Sequence, residues 1–407
     1  MKTSKWFLLL LAVCLVFSFA ACGGGGGGSD GPSGGGNGGG NSAPAGPWLC
    51  FTATGASSVK MDIMGNLDPI PSLEYSKDGS VWIDFIIGAT IVELADGERV
   101  YLRAKSTNDS FSKGYYSYVK FVMEGSIAAS GNLMSLLDKT CTSTEIPCEY
   151  CFAFLFKGCS ALTSAPLLPA VTLTSYCYYV MFSGCSSLTT APDLPATTLA
   201  YWCYNMMFSS CSSLTTAPDL PAMTLTDHCY SYMFLNCSAL TTAPDLPAMT
   251  LEKDCYDGMF AGCSSLTTAP DLPAMTLTNY CYAYMFSGCS SLTTAPELPA
   301  TTLANGCYSG MFFDCSVLAD APILPATTLA NYCYNYMFKG CSSLSSITVH
   351  FTSWDGATKA TQSWVDGVGN TGVRQFHCRT GLNTTSPGVN KNPSGWTVIK
   401  DVPEPAP

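Results

Sequence analysis

The spacing of apolar residues changes halfway through a unit that recurs along most of the chain. In the second half of one such unit, Leu199, Cys203 and Met207 lie at positions i, i+4 and i+8, with Phe208 beside them. Apolar residues at this spacing form one face of an amphipathic helix. The pattern therefore predicts a short helix, for which Thr198 is placed to be the N-cap.

The first half of the same unit predicts a short strand. The strand covers Leu188–Ala191, and Pro192 and Pro195 stop it because proline cannot donate to a sheet ladder. The intervening letters PDLP then form an extended turn. Each unit is expected to hold one strand and one helix, which is the plan of a leucine-rich repeat and an α/β fold class.

The unit recurs every 26 residues without insertion, as two parallel series of cysteines show. The series are Cys159, Cys185, Cys211, Cys237, Cys263, Cys289, Cys315 and Cys341, and Cys151, Cys177, Cys203, Cys229, Cys255, Cys281, Cys307 and Cys333. A fixed period means that every unit occupies the same space as the one before it. We therefore predict a solenoid of stacked 26-residue strand-helix coils over residues 141–349.

The segments on either side of the repeats are predicted to cover the two ends of the solenoid. Residues 47–140 hold short β-branched and aromatic runs, with Asp78-Gly79 and Asp96-Gly97 between them. An Asp-Gly pair between alternating runs is a hairpin signal, so this part is expected to be a small antiparallel β-sandwich, a spacer or N-terminal cap. Residues 350–407 form a C-terminal cap and tail, and a helix and a strand are expected there from Val349, Phe351, Trp354, Trp364 and Val368.

The first residues indicate export. Lys2 and Lys5 precede an apolar run that ends at Phe19, and small residues follow up to Cys22, so residues 1–22 are expected to be a signal peptide. The letters before Cys22 resemble a bacterial lipoprotein processing box, which implies lipidation of Cys22; ordinary cleavage and free secretion is the alternative. Residues 23–46 are almost all glycine and small polar residues and are predicted to be a flexible tether.

One stretch of each repeat is similar to a known family. The letters MFSGCSSLTTAP, from Met181 to Pro192, resemble the AFxGCxxLxxIxIP core of the BspA-like leucine-rich repeats of bacterial surface proteins. The whole chain resembles surface lipoproteins of this kind from gut Bacteroidota. Two differences are the length of 26 residues and Ala191, which stands where a large aliphatic residue is expected. The resemblance implies a location at the outer membrane and adhesion to host surfaces or other cells.

The cysteines allow several interpretations. If the second series lies on helices, equivalent residues of neighbouring coils should be roughly 8–10 Å apart, which is too far for a disulfide. Buried, reduced cysteines that act as small apolar spacers are therefore expected. Bridges between coils along the first series are the alternative. Outside the repeat register, Cys141 and Cys148 are the expected disulfide pair, and Cys148 and Cys151 could instead bind a metal ion.

Composition and charge exclude some functions. The chain has 407 residues, 12% of them charged, and a formal net charge of −11, whereas nucleic-acid binding needs clustered Lys and Arg. The histidines are His228, His350 and His377; none recurs between the repeats, and none is part of a plausible set of nucleophile, base and orienting acid. We therefore expect a protein that is not an enzyme, has no cofactor and does not bind nucleic acid.

Two columns of residues vary between repeats while their surroundings hardly change. Tyr, Trp and Gly recur in these columns, and a stiff aromatic side chain gives contact area at a low entropic cost. The candidate ligand-binding residues are Tyr176, Trp202, Tyr232, Tyr280, Tyr284, Tyr332 and Tyr336. The alternative is that these side chains are partly buried and only seal adjacent coils.

A third column is acidic and contains Asp193, Asp219, Asp245, Asp271 and Glu297. If neighbouring strands lie about 4.8 Å apart, these carboxylates form a closely spaced row. The row is either a solvated polar stripe or a site that collects hard divalent cations such as Ca²⁺, which bind several carboxylate and carbonyl oxygens.

The sequence thus predicts a surface-exposed, lipid-anchored repeat protein. Its expected role is adhesion, with a protein or glycan ligand at the cell surface and contact with the membrane only through the anchor. A structural surface spacer without a specific ligand is the alternative.

Overall fold

The computed structural model describes residues 47–369 and 372–403. The expected signal peptide, lipidation site Cys22 and tether lie outside the described residues. Within them no helix is long and apolar enough to cross a membrane.

Two β-sheets face each other in residues 49–130. The strands of this part are β1 (Leu49–Ala53), β2 (Ser57–Met64), β3 (Leu73–Ser76), β4 (Ile83–Phe85), β5 (Ile91–Leu94), β6 (Arg99–Ala104), β7 (Tyr118–Glu124) and β8 (Ile127–Ser130). One sheet has the order β4-β3-β6-β1-β8 and continues into the first repeat, and the other has the order β5-β2-β7. Phe51 of the first sheet packs edge-on against Phe121 of the second, at 5.1 Å between ring centroids.

One of the two expected hairpins is present. Asp78-Gly79 lies in the loop between β3 and β4, which pair antiparallel. The hairpin predicted at Asp96-Gly97 is wrong, because β5 and β6 do not pair with each other: β5 pairs with β2, and β6 pairs with β1 and β3. This turn carries the chain from one sheet to the other. Gly97 has a φ of 75°, which glycine readily adopts in a turn. The choice of strand partner depends on which side chains are buried between the two sheets.

The repeats form a solenoid, but the predicted strand-helix unit is wrong. Strand pairing in the central coils is reduced to two columns of isolated parallel bridges, exemplified by Thr190 with Thr216 and Thr198 with Thr224. The predicted strand Leu188–Ala191 is thus a single bridge, and Thr198 belongs to the second bridge column instead of capping a helix. Three-residue strands occur at the ends of the array, at β9 (Leu162–Ser164) and β10 (Ser346–Thr348). Among the described residues the only helix is a 3-10 helix at Leu133–Leu136.

A row of four-residue turns replaces the predicted helix. Every fourth residue in this half of the coil has a positive φ, as at Tyr176, Val180 and Gly184. Between these residues, alternate amides bond within the coil and to the next one. The amide of Tyr179 donates to the carbonyl of Tyr176 at 3.1 Å, and that of Val180 donates to Asn205 of the following coil at 3.0 Å. The turn rows of successive coils are therefore tied together by main-chain hydrogen bonds.

The core consists of aromatic ladders that run along the solenoid. Phe208 stacks on Phe182 at 5.6 Å and on Phe234 at 5.7 Å, with ring planes within 5° of parallel. A second ladder holds one tyrosine per coil, and Tyr204 and Tyr230 of this ladder lie 5.8 Å apart. Leu199, Cys203, Met207 and Phe208 are buried, as the sequence pattern predicts. Stacking of identical rings buries a continuous apolar core without any helix.

The N-terminal sheets take the place of a coil before the first repeat. Strand β8 pairs in parallel with β9, and the amide of Phe121 donates to Leu155 at 2.7 Å. The ring of Phe121 stacks on Phe156 at 4.9 Å and so begins the phenylalanine ladder.

The C-terminal segment continues the array as a further coil. Positive φ angles recur at Lys359, Ser363 and Gly367, and the amide of Phe338 donates to Trp364 at 2.8 Å. The expected helix is therefore wrong, although Val349, Phe351 and Trp364 are fully buried and Trp354 and Val368 pack against the same core. Strand β10 extends into a parallel sheet with β11 (Gln375–His377) and β12 (Thr397–Ile399).

The described cysteines are free thiols, and both repeat series are buried. The spacing of 8–10 Å expected from packed helices is wrong, since parallel hydrogen-bonded segments lie about 4.8 Å apart. In the first series each thiol donates to the coil before it, as Cys211 does to the carbonyl of Phe182 at 3.2 Å. Burial raises the pKa of the Cys211 thiol well above its usual value. The expected Cys141–Cys148 disulfide is not formed; Cys148 contacts Cys151 instead.

Candidate binding surface

The candidate ligand-binding residues occupy the positive-φ positions of the turn rows. Tyr176, Trp202, Tyr280 and Tyr332 lie in one column and Tyr232, Tyr284 and Tyr336 in the next, with φ between 50° and 59°. We call these the first and second columns. A non-glycine residue in this conformation costs roughly 1–2 kcal/mol, because its Cβ approaches the carbonyl that follows. The seven side chains are partly or largely exposed, which fits the variation at these positions between repeats.

Four rings of the first column form a continuous stack. Tyr150 lies 4.4 Å from Tyr176, Tyr176 lies 5.8 Å from Trp202, and Trp202 lies 4.3 Å from His228. The interplanar angles are 6°, 23° and 30°, so the ring faces cover one another and the edges remain outermost. The sequence identified Tyr176 and Trp202 in this stack but not Tyr150, which lies one repeat earlier in the same register.

Further along the array, tyrosines lie over glycines of the next coil. A Cβ added to Gly258 would come within 2.3 Å of the Tyr232 ring, and one added to Gly306 would come within 2.2 Å of Tyr280. Tyr284 covers Gly310 in the same way, at 2.3 Å from such a Cβ. These tyrosines and glycines therefore complement each other across adjacent coils. The expectation that the columns seal neighbouring coils is correct for these pairs, but Tyr280 and Tyr284 remain 38% and 36% exposed.

Aromatic residues that the sequence reasoning missed extend the stack onto the N-terminal sheets. Tyr118 stacks on Phe154 at 4.4 Å, and the hydroxyl of Tyr115 contacts that of Tyr179. Tyr115 is 55% and Tyr116 87% exposed. We define the aromatic patch as Tyr115, Tyr116, Tyr118, Tyr150, Tyr176, Tyr179, Tyr201, Trp202 and His228. No local sequence signal joins Tyr115 to Tyr179, because the contact depends on how the first coil docks on strand β7.

Burial raises the pKa of three tyrosines in this patch, Tyr150, Tyr176 and Tyr179. It raises the pKa of Tyr176 to about 12, and the pKa of Tyr179 rises further for the same reason. The phenol groups of these two residues are neutral hydrogen-bonding groups at physiological pH, as unshifted phenols also are, and burial makes their ionisation still less favourable. The ring edges and hydroxyls of the patch can contact a partner without bringing charge with them.

A polar cluster borders the patch where the aromatic stack ends. The His228 imidazole lies 3.3 Å from the Asp254 carboxylate, which Lys253 approaches at 3.4 Å. One oxygen of Asp257 is buried without a hydrogen-bond partner, and desolvation raises the pKa of Asp257 to about 7. Desolvation likewise lowers the pKa of His228. His228 and Asp254 lie in the first column, in the register of Trp202, but the sequence alone did not indicate that they interact.

The acidic column lies on a different part of the coil, beside the bridge columns. Asp193, Asp219, Asp245, Asp271 and Glu297 are all exposed. Within residues 47–369 and 372–403, no three His, Cys, Asp or Glu side chains lie close enough together to hold a metal ion. The exposure of the five acids favours a solvated stripe, and calcium binding there stays a prediction.

Comparisons with known proteins agree with the repeat pattern. Residues 139–267 and 231–355 match a family model described as a BspA type leucine rich repeat region, in six copies, so the match spans more than half of the chain. A leucine-rich repeat protein from Bacteroides ovatus ATCC 8483 is 17% identical over 61% of this chain and 77% of that one. The TM-score of 0.24 is too low to support a structural argument. A comparison with curated proteins gave no match.

Proposed function

The chain belongs to the BspA type leucine rich repeat family, commonly surface repeat proteins, and we propose that it is a non-enzymatic binding protein held at the cell surface. The aromatic patch is the proposed contact surface. The observation that carries the proposal is a run of neighbouring rings, all but Tyr179 at least partly exposed. The run begins on the N-terminal sheets and continues at coil positions that vary between repeats, on a scaffold whose core positions repeat. A scaffold of this kind holds variable side chains in place at little entropic cost.

The geometry of the stack favours a protein ligand over a glycan. In the stack from Tyr150 to His228 the ring faces are covered by neighbouring rings, so a sugar ring has few open faces on which to lie. Ring edges and neutral hydroxyls remain outermost, and tyrosines present the same groups in antibody paratopes. The patch itself contains no Lys, Arg, Asp or Glu, and depletion of charged residues is typical of the centre of a protein interface.

We expect Tyr176→Ala and Trp202→Ala to weaken binding of an extracellular matrix or cell-surface protein by about tenfold or more each, because aromatic anchors dominate such interfaces. A screen of matrix proteins and glycans with the intact chain identifies the ligand, and surface plasmon resonance then measures Kd for each variant. Met223→Ala, which removes a 56% exposed side chain outside the patch, is the matched control and should not change Kd.

The outcomes of this screen separate the proposals. Binding of glycans alone, weakened by the same variants, would replace the protein ligand with a carbohydrate. Reproducible failure to bind any member of either group would favour a structural surface spacer.

We further propose that export and a lipid on Cys22 anchor the chain to the outer membrane. The apolar leader, the small residues before Cys22 and the family membership support this. The prediction is that the wild-type chain incorporates radioactive palmitate and partitions into detergent, whereas Cys22→Ala does neither. Equal labelling of both chains would contradict the anchor without affecting the proposed contact surface.

A further inference from the structure

Two thiols face each other at the junction between the N-terminal sheets and the first coil. Cys148 and Cys151 belong to the letters PCEYC, and the Cys151 thiol is close enough to donate to the Cys148 sulfur. Both sulfurs also point at one acceptor, the Asp109 carbonyl, at 3.0 Å from Cys148 Sγ and 3.8 Å from Cys151 Sγ. The pair is therefore held together by the docking of residue 109 against the coil.

The equivalent turns of later coils lack the second thiol. Cys177 and Cys203 repeat the position of Cys151, but Thr174 and Ala200 stand where Cys148 would be. The chain turns in the same way at both places, over residues 149–151 and 175–177. Cys148 is thus an addition to the repeat plan and not a member of either buried series.

We propose that Cys148 and Cys151 form a reversible thiol–disulfide pair, which a low-molecular-weight disulfide oxidises and a thiol reduces. A four-residue turn keeps its end Cα atoms within about 7 Å. A disulfide requires about 4.4–6.8 Å. The bond can therefore close across this turn with little movement of the backbone.

The two thiols have different roles in the exchange. Cys148 is partly exposed, whereas Cys151 is fully buried. The Cys148 thiolate attacks one sulfur of the oxidant, forms a mixed disulfide and expels the first thiolate. Cys151 then loses its proton to solvent or to the released thiolate. The Cys151 thiolate attacks Cys148 Sγ, and the half of the oxidant that was bound to Cys148 leaves as the second thiolate. One disulfide is reduced to two thiols while one protein disulfide forms.

The pKa values of the two thiols agree with these roles, since Cys148 ionises more readily than Cys151. The hydrogen bond from Cys151 lowers the pKa of Cys148 to about 6, against the opposing effects of partial burial and of Asp109 and Glu149. Burial raises the pKa of Cys151 well above its usual value. A partly exposed thiolate beside a buried resolving thiol is the arrangement that makes disulfide exchange selective for one site.

Mass spectrometry of the intact chain tests the proposal. The protein is equilibrated in glutathione buffers of graded redox ratio, quenched with acid, alkylated and cut after glutamate and lysine. Cleavage at Lys139, Glu145, Glu149 and Lys157 places Cys141, Cys148 and Cys151 in three peptides that each contain one cysteine. We expect a disulfide that joins the Cys148 and Cys151 peptides in oxidising buffer, and its replacement by two alkylated peptides in reducing buffer.

Three variants test the assignment of the linked cysteines, and two outcomes would contradict the proposal. Cys148→Ser should abolish the link, whereas Cys141→Ser and Cys177→Ala, the latter one coil further on, should leave it unchanged. A link between the Cys141 and Cys148 peptides, or alkylated Cys148 at every redox ratio, would overturn the proposal. The wild-type measurement is sufficient if a variant does not fold, and neither result bears on the aromatic patch.

Discussion

Phe208→Ala is expected to lower the free energy of unfolding by about 3–5 kcal/mol, the usual cost of removing a buried phenylalanine and leaving a cavity. Phe208 has no exposed surface and stacks on Phe182 and Phe234 in the neighbouring coils. The truncation therefore removes two ring contacts and interrupts the ladder in the middle of the array.

Hydrogen exchange with denaturant titration measures this effect and its location. Because a repeat array is stabilised by interactions between nearest neighbours, protection should fall most in the coils that contain Phe182 and Phe234. Met223→Ala is the control and should change stability by less than about 0.5 kcal/mol, as surface substitutions usually do. An equal loss of protection in every coil would contradict a core built from stacked, locally stabilised units.

Gly131→Ala is expected to destabilise the junction between the N-terminal sheets and the first coil. Gly131 has a φ of 74°, and an added Cβ would lie 1.9 Å from the main-chain oxygen of Trp48. The carbonyl of Gly131 also accepts the amide of Leu167 at 2.8 Å, so the segment cannot move away without loss of that bond. Overpacking costs roughly 1–3 kcal/mol. The positive φ adds roughly 1–2 kcal/mol.

Gly55→Ala is the matched control for the conformational part of that cost. Gly55 has a φ of 77°, but nothing lies within 4 Å of the added Cβ, so only about 1–2 kcal/mol is expected. Urea denaturation of the two variants separates the steric contribution from the cost of the positive φ. Equal stability of both variants would mean that Trp48 moves freely and that the junction is not tightly packed.

The helix prediction was wrong for a reason that lies in the spacing itself. Apolar residues at i, i+4 and i+8 fit a helix of 3.6 residues per turn, but they fit a row of four-residue turns equally well. A signal against the helix was present. Gly184, Asn236 and Asp314 each occupy the third turn position of their coil, where φ is positive, and Gly258 and Gly310 fall in the middle of the supposed helix. Glycine, asparagine and aspartate are the residues that adopt this conformation most readily.

The candidate site could be predicted only in part. The variable columns were visible from comparison of the repeats, because core positions tolerate little change while outward positions do. Tyr115 and Tyr118 were not predicted, since nothing near them in sequence brings them to Tyr179 and Phe154. Tyr150 was missed although it lies 26 residues before Tyr176, in the register of the repeat. The Cys148–Cys151 contact was considered for metal binding, but its shared acceptor, Asp109, lies 39 and 42 residues away in the sequence.

The sequence alone determined the repeat, its period of 26 residues, the buried identity of Leu199, Cys203, Met207 and Phe208, and the family, because identical units must bury identical side chains against their neighbours. Only the tertiary structure decided how each coil uses its backbone. Amides of the turn rows have two possible acceptors, within the coil or on the next one, and local propensity cannot choose between them. Packing between coils selects the acceptors, because parallel hydrogen bonds between coils bring the rings of successive repeats into stacking distance. An intact helix in each coil would prevent this stacking, since helices pack about 8–10 Å apart.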